Sequence, residues 1–288
     1  MVRQRERTDR KRAEVHHTQA LLCAVVLVTT GCTSPAGDAA PDRPTPPSVT
    51  LSFTQLLPEE GTENGLLRVV NTAGADLHVT GIGLDWPGVG GAFMQEKDSI
   101  LMPEQTMDLK ITLPPPDCDD DSAPVVGMVE SGDAAVRQEL VDSGQVFVRR
   151  LWALQCSALF VSDRLGIEYG RRWRRLGSGA GSTIVGSLDL TRREGNEPIH
   201  LLGVQGSVLY DLALPGAREL AAGVQSGSLP IEVLPGNRCD EHARGQATAP
   251  FTFRLELKFG DSRPHKVLIE PPLSGQTEAT ALLDRACG

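Results

Sequence analysis

The residues best able to do chemistry in this chain fall into small groups, and each group lacks a partner that its chemistry requires. Asp117, Asp119 and Asp121 stand at alternate positions, as the first carboxylates of a calcium loop do. Such a loop turns on a glycine at its sixth position and closes on a glutamate at its twelfth. Those positions here hold Ser122 and Met128, so a solvated acidic loop is expected. Cys239, Asp240 and His242 are donors for zinc, but a zinc site needs four N or S ligands at recognisable spacing, and no such set occurs. His78 and His200 each lie between apolar strand residues, with no serine or cysteine nucleophile placed beside them. The glycine-rich run Gly177–Ser182 carries no phosphate-binding lysine. It leads into β-branched Thr183-Ile184-Val185 rather than the helix start that a phosphate loop uses. No Gly-x-Ser-x-Gly elbow occurs. No catalytic residue, metal or cofactor is assigned, and the chain is not expected to be an enzyme. One basic patch remains: Arg171, Arg172, Arg174 and Arg175 around Trp173. Arginine and tryptophan are favoured in interface hot spots. The patch is therefore a candidate contact for an acidic partner, a glycan or the other domain; the competing reading is a solvated inter-domain loop with Trp173 half buried.

The elements that would position these groups repeat. Leu77-His78-Val79-Thr80-Gly81-Ile82 returns as Ile199-His200-Leu201-Leu202-Gly203-Val204, 122 residues later. Leu113-Pro114, three residues, Cys118-Asp119 returns as Leu234-Pro235, three residues, Cys239-Asp240, 121 later. Leu151-Trp152 before Cys156 answers to Leu282-Leu283 before Cys287. Ordered matches at nearly one offset mark a duplication and predict tandem domains over 49–165 and 166–288. Cys118, Cys156, Cys239 and Cys287 can pair in three ways. A duplicated ancestor that kept its own bond selects Cys118–Cys156 and Cys239–Cys287.

The local pattern is strand. Val49, Leu51 and Phe53 alternate with polar residues, as do Leu109, Ile111 and Leu113, and Phe251, Phe253, Leu255, Leu257 and Phe259. Period-two alternation buries one face of a sheet. With Gly and Pro clusters between the runs, it predicts antiparallel β-sandwiches. Asp133–Val141 and Glu278–Ala286 read instead as short helices.

The start of the chain reads as an export signal. Arg3, Arg5, Arg7, Arg10, Lys11 and Arg12 precede the apolar run Ala20–Val28, and Thr29-Thr30-Gly31-Cys32 follows. A basic stretch, a short apolar core and small residues before a cut define a secretory signal. The nine residues of that run are far short of the roughly 20 needed to span a bilayer. A short uncut anchor is the competing reading. Thr33–Ser48 is rich in Pro, Ala and Asp and reads as an extended spacer.

Charge narrows the partners. The chain has 28 basic and 37 acidic side chains. Residues 1–31 hold six and three of them, leaving 22 against 34, a net −12. That opposes general nucleic-acid binding, which depends on basic surface. About 240 residues remain after the spacer, enough for one large or two ordinary domains.

Thr30-Gly31-Cys32 resembles the lipobox of bacterial lipoproteins, with Thr29 where that pattern usually has Leu. The resemblance implies a diacylglycerol on Cys32, cleavage after residue 31 and a membrane anchor on the outer face; plain secretion is the alternative. Val69–Val79, which contains Asn71-Thr72-Ala73-Gly74, resembles a strand–turn–strand of immunoglobulin-like domains of the abnormal-spindle/Hydin type. In the second copy, Arg192-Arg193-Glu194-Gly195-Asn196, the Asn has moved. The paired cysteines and Arg238-Cys239-Asp240-x-His242 are similar to secreted actinobacterial proteins. These resemblances imply a mainly β chain of two tandem immunoglobulin-like sandwiches, and no activity. The expected function is a non-catalytic binding or structural protein of the cell envelope. Its partners would be the membrane, through the anchor at Cys32, and an envelope protein or glycan. The alternatives are an envelope hydrolase and a solute-binding lipoprotein.

Overall fold

The computed structural model describes residues 48–216 and 218–287. The signal segment 1–31, Cys32 and the spacer up to residue 47 lie outside the described residues. The chain is mainly β, and every strand pairing among the described residues is antiparallel.

The first half runs β1 (Val49–Thr54), β2 (Asn64–Asn71), β3 (Leu77–Trp86), β4 (Gly91–Leu101), β5 (Thr106–Thr112), β6 (Val126–Ser131), β7 (Ala134–Glu139) and α1 (Asp142–Arg164). The second runs β8 (Leu165–Tyr169), β9 (Arg174–Leu176), β10 (Thr183–Arg192), β11 (Ile199–Gln205), β12 (Tyr210–Ala213), β13 (Glu219–Leu220), β14 (Ser226–Pro235), α2 (Glu241–Gln246), β15 (Phe253–Phe259), β16 (His265–Ile269) and α3 (Leu273–Cys287). Inward alternation is visible at once: Val49, Leu51 and Phe53 are buried on β1, and Phe253, Leu255, Leu257 and Phe259 on β15. Phe251 lies outside β15, in the preceding turn, and stacks on Tyr210.

The duplication reaches the level of sheet order. The first half has sheets β1-β2-β5 and β4-β3-β6-β7; the second has β8-β10-β14-β12 and β13-β11-β15-β16, with β9 also pairing β10. Matching the strands in chain order superposes the two layouts. The central strands break register at equivalent residues, Val79/Gly81 on β3 and Leu201/Gly203 on β11, but against different neighbours, β4 in the first half and β15 in the second. They differ in the fourth strand. β4 is one strand along β3, whereas its counterpart is split: β13 stays beside β11 and β12 crosses to pair β14. No sheet contains strands of both halves, and most buried apolar side chains of residues 49–156 form their own cluster. The described residues nevertheless belong to one compact unit.

Helix α1 is what joins them. Its Val148, Leu151, Trp152 and Cys156 belong to the first core, while Val161 and Phe160 belong to the second. Gly144 lets α1 approach β1 closely, since a Cβ there would lie 2.7 Å from the Phe53 nitrogen. The helix expected over 133–141 is a correction. Residues 134–139 are β7, which returns along β6 through Gly132-Asp133, and helix begins only at Asp142. The turn decides it: Gly132 has φ +57, a backbone that favours glycine and closes a two-residue hairpin. The second expected helix, 278–286, falls within α3.

Cys118 is bonded to Cys156 on α1, and Cys239 to Cys287 on α3, with Cα atoms 5.7 and 5.2 Å apart. Each bond thus ties the loop after a Leu-Pro step to the helix that closes its own half.

Candidate functional site

A cleft of about 610 Å³ opens where the two halves meet. Its floor is the outer face of the sheet β11-β15-β16, carrying Gln205, Arg254 and Glu256, with exposed Lys266 at the rim. Gly203 leaves that floor bare, because nothing lies within 4 Å of the place its Cβ would take. Arg150, Leu154 and Ser157 of α1 form a wall. Glu60, from the β1–β2 connection, closes the corner.

Local structure fixes Glu60. A short 3-10 turn over Leu57–Glu59 precedes it. The Gln55 amide donates to the carbonyls of Glu59 and Asn64 at 2.8 and 2.9 Å, bracing the loop. The Glu60 side chain is only 6% exposed, and its two oxygens accept from Arg150 of α1 and Arg254 of β15. One carboxylate therefore joins a first-half loop, the shared helix and a second-half sheet. A further cleft of about 510 Å³ shares Glu60, Gln205 and Arg254 and adds Arg238 and His242. The sequence reading missed this cluster. Glu60, Arg150 and Arg254 lie far apart in the chain, and only the path of α1 brings them together.

The groups singled out from sequence lie apart from one another. Asp117, Asp119 and Asp121 are exposed; Asp117 caps the Asp119 amide at 3.1 Å, and Asp121 lies 3.9 Å from Arg149. No three potential metal ligands cluster among the described residues. Asp240 caps α2 through the Ala243 amide. The Arg238 hydrogen bond, then that amide, hold its carboxyl down at about 2. Both histidines point outward, each toward a carboxylate of the neighbouring strand: His78 to Asp98 at 2.7 Å and His200 to Glu219 at 3.4 Å. Gly177–Ser182 forms the β9–β10 connection, with a 3-10 turn at Gly179–Gly181 that Ser182 braces through the Gly179 carbonyl.

In the basic patch, the four arginines and the tryptophan behave differently. Arg171, Arg172, Arg174 and Arg175 are exposed and make no ion pair with any described residue. Trp173 is half-buried. Its ring lies on the bare backbones of Gly186 in β10 and Gly275 in α3, beside Tyr169. It holds the second half together rather than standing out as an anchor for a partner.

No protein-family model and no curated protein matches the chain. Among solved structures it is similar to the transglutaminase of red sea bream, at 12% identity and a TM-score of 0.24 over 77% of this chain. It is also similar to the BSP domain of a biofilm-associated protein, at 10% identity and a TM-score of 0.18 over 82%. The chain spans 31% of the length of the first and 61% of the second. Likenesses this faint carry no argument about fold or activity.

Proposed function

We propose that this protein is an exported, lipid-anchored, non-catalytic binding protein, held through Cys32 on the outer face of a bacterial membrane. The observation that carries the binding reading is the cleft at the seam. Its polar lining is guanidinium, ammonium, carboxylate and amide, with Ser157 as its one hydroxyl and no histidine. Such a set holds a ligand by charge and hydrogen bonds and offers no base-activated nucleophile. Two disulfides support export, because such bonds persist outside the reducing cytosol. The basic stretch, apolar run and Thr30-Gly31-Cys32 support the anchor.

Chemical crosslinking on intact cells, followed by recovery of the protein from membranes, tests the reading. A fatty-acid analogue should label the wild type and not Cys32→Ala, and a defined envelope partner should be recovered with the labelled protein. Equal labelling and retention of the variant would remove the anchor. Release of fragments from envelope polymers, lost in Ser157→Ala, would replace the binding protein with a hydrolase.

A further inference from the structure

We infer that the cleft between α1 and the β11-β15-β16 sheet binds a small ligand bearing carboxylate or phosphate groups. This rests on the reading of the chain as a binding protein and names the ligand class of its cleft.

Charge is the first ground. Beyond residue 31 acidic side chains outnumber basic ones 34 to 22. The cleft reverses that balance, with Arg150, Arg254, Arg263 and Lys266 against Glu60 and Glu256. Glu60 shows what the arginines are arranged to do. They converge on a carboxylate from two sides, each through a single nitrogen, Nη2. The Nε and Nη1 groups of both have no acceptor among the described residues. A guanidinium has five N–H donors in a planar fork suited to carboxylate and phosphate, so most of that capacity remains. The Arg150 side chain is 55% exposed and can turn it toward a ligand. Arg263 and Lys266 are exposed at the rim and make no ion pair with a described residue. Lys266 stands across the ladder from Glu256 without reaching ion-pair distance.

Shape is the second ground. A volume of about 610 Å³ falls within the usual range for small-ligand sites. No aromatic side chain lines the cleft, so a neutral sugar finds no ring to stack on. Ser157 and Gln205 add neutral hydrogen-bonding groups. The adjoining cleft gives an uncharged remainder of the ligand room to extend past Arg254.

The test is calorimetric titration of the purified full-length protein with citrate, with pyrophosphate and with glucose. One or both anions should bind and glucose should not; citrate against pyrophosphate separates a carboxylate from a phosphate ligand. Affinity should fall as salt rises from about 50 to about 200 mM, because the charges are partly exposed. Arg263→Ser with Lys266→Ser should weaken anion binding by about fivefold or more without lowering the melting temperature, since both are rim residues. Glu60→Gln removes the internal competitor and should tighten binding severalfold. No binding of either anion at millimolar concentration overturns the inference. So does unchanged affinity in the double variant or in folded Glu60→Gln. If a crosslinked envelope partner is still recovered after such a result, the binding-protein reading stands and only the ligand class falls.

Discussion

Asn71 and His265 are both buried polar side chains, and the fold treats them oppositely. Asn71 is fully enclosed and fully used. It donates to the carbonyls of Ala75 and Leu101 at 2.8 and 3.0 Å and accepts from the Ala73 amide at 3.0 Å. Asn71→Ala would strand these groups and should cost about 1–3 kcal/mol. Urea unfolding checks it; a loss below about 0.5 kcal/mol would mean that the turn holds without its side chain. The matching position in the second half is Arg192, also buried, which donates to the carbonyls of Val224 and Ala221. His265 has no hydrogen-bond partner at either ring nitrogen. It stacks on Phe160 at 3.9 Å, with Phe259 edge-on. Arg164 of α1 lies over the same Phe160, and Arg263 sits in the turn before β16. Burial, then Arg263 and Arg164, push its pKa below the ordinary value of 6.5. The unfolded chain therefore takes up a proton near pH 6.5 that the native state refuses until lower pH. Stability is intact above that point and is lost as pH falls from about 6.5 toward the lowered native value. The urea midpoint should drop more between pH 7.5 and 5.5 in the wild type than in His265→Leu. Equal drops would assign the acid sensitivity to other groups.

At the scale of elements, α1 and β9 carry the predictions. Gly144 of α1 faces the backbone of β1, and a methyl group there would lie 2.7 Å from the Phe53 nitrogen and 3.2 Å from the Ser52 Cα. Neither neighbour is a flexible side-chain end. Gly144→Ala should therefore push the helix off the sheet and cost about 1–3 kcal/mol, although alanine favours helix by itself. A stabilised variant would show that α1 has room to move. β9 is a short strand beside β10, and its exposed Arg174 and Arg175 belong to the basic patch. Charged residues on an edge strand discourage pairing with another chain, and they also offer a contact for an acidic partner. Replacing Arg171, Arg172, Arg174 and Arg175 by Ser should reduce recovery of a crosslinked partner and flatten its salt dependence. If recovery is unchanged but the protein self-associates, the arginines guard the edge and do nothing more.

For the whole molecule, the disulfides and α1 set how unfolding spreads. The bonds close loops of 38 and 48 residues. Restricting the unfolded chain by loops of this size stabilises the native state by about 4 kcal/mol each, against a typical total of about 5–15 kcal/mol. Cys118–Cys156 ends on the helix that both halves pack against, whereas Cys239–Cys287 ends on α3 of the second half alone. Cys118→Ser with Cys156→Ser should therefore raise hydrogen exchange in β16 as well as in β6. Cys239→Ser with Cys287→Ser should raise it chiefly in the second half. Exchange confined to the first half in the former variant would mean that α1 does not couple the two.

By itself the sequence determined the features that depend on neighbours along the chain. Alternation on β1 and β15 fixed which faces are buried, because side chains in a strand change sides at every residue. The repeated His78 and His200, and the Leu-Pro steps before Cys118 and Cys239, marked two halves whose sheet orders agree except at the split fourth strand and the added β9. Tertiary structure alone decided the rest. The stretch before Asp142 carries helix-compatible alanines, yet it is β7, because a glycine turn folded it onto β6. The split of the fourth strand into β12 and β13 depends on which sheet offers a free edge, which no local pattern records. Glu60, Arg150 and Arg254 are unremarkable charges in the sequence. They become a site only because α1 spans both halves, carrying Arg150 to a loop from one sheet and a strand from another, where burial of the carboxylate makes its two guanidinium partners necessary.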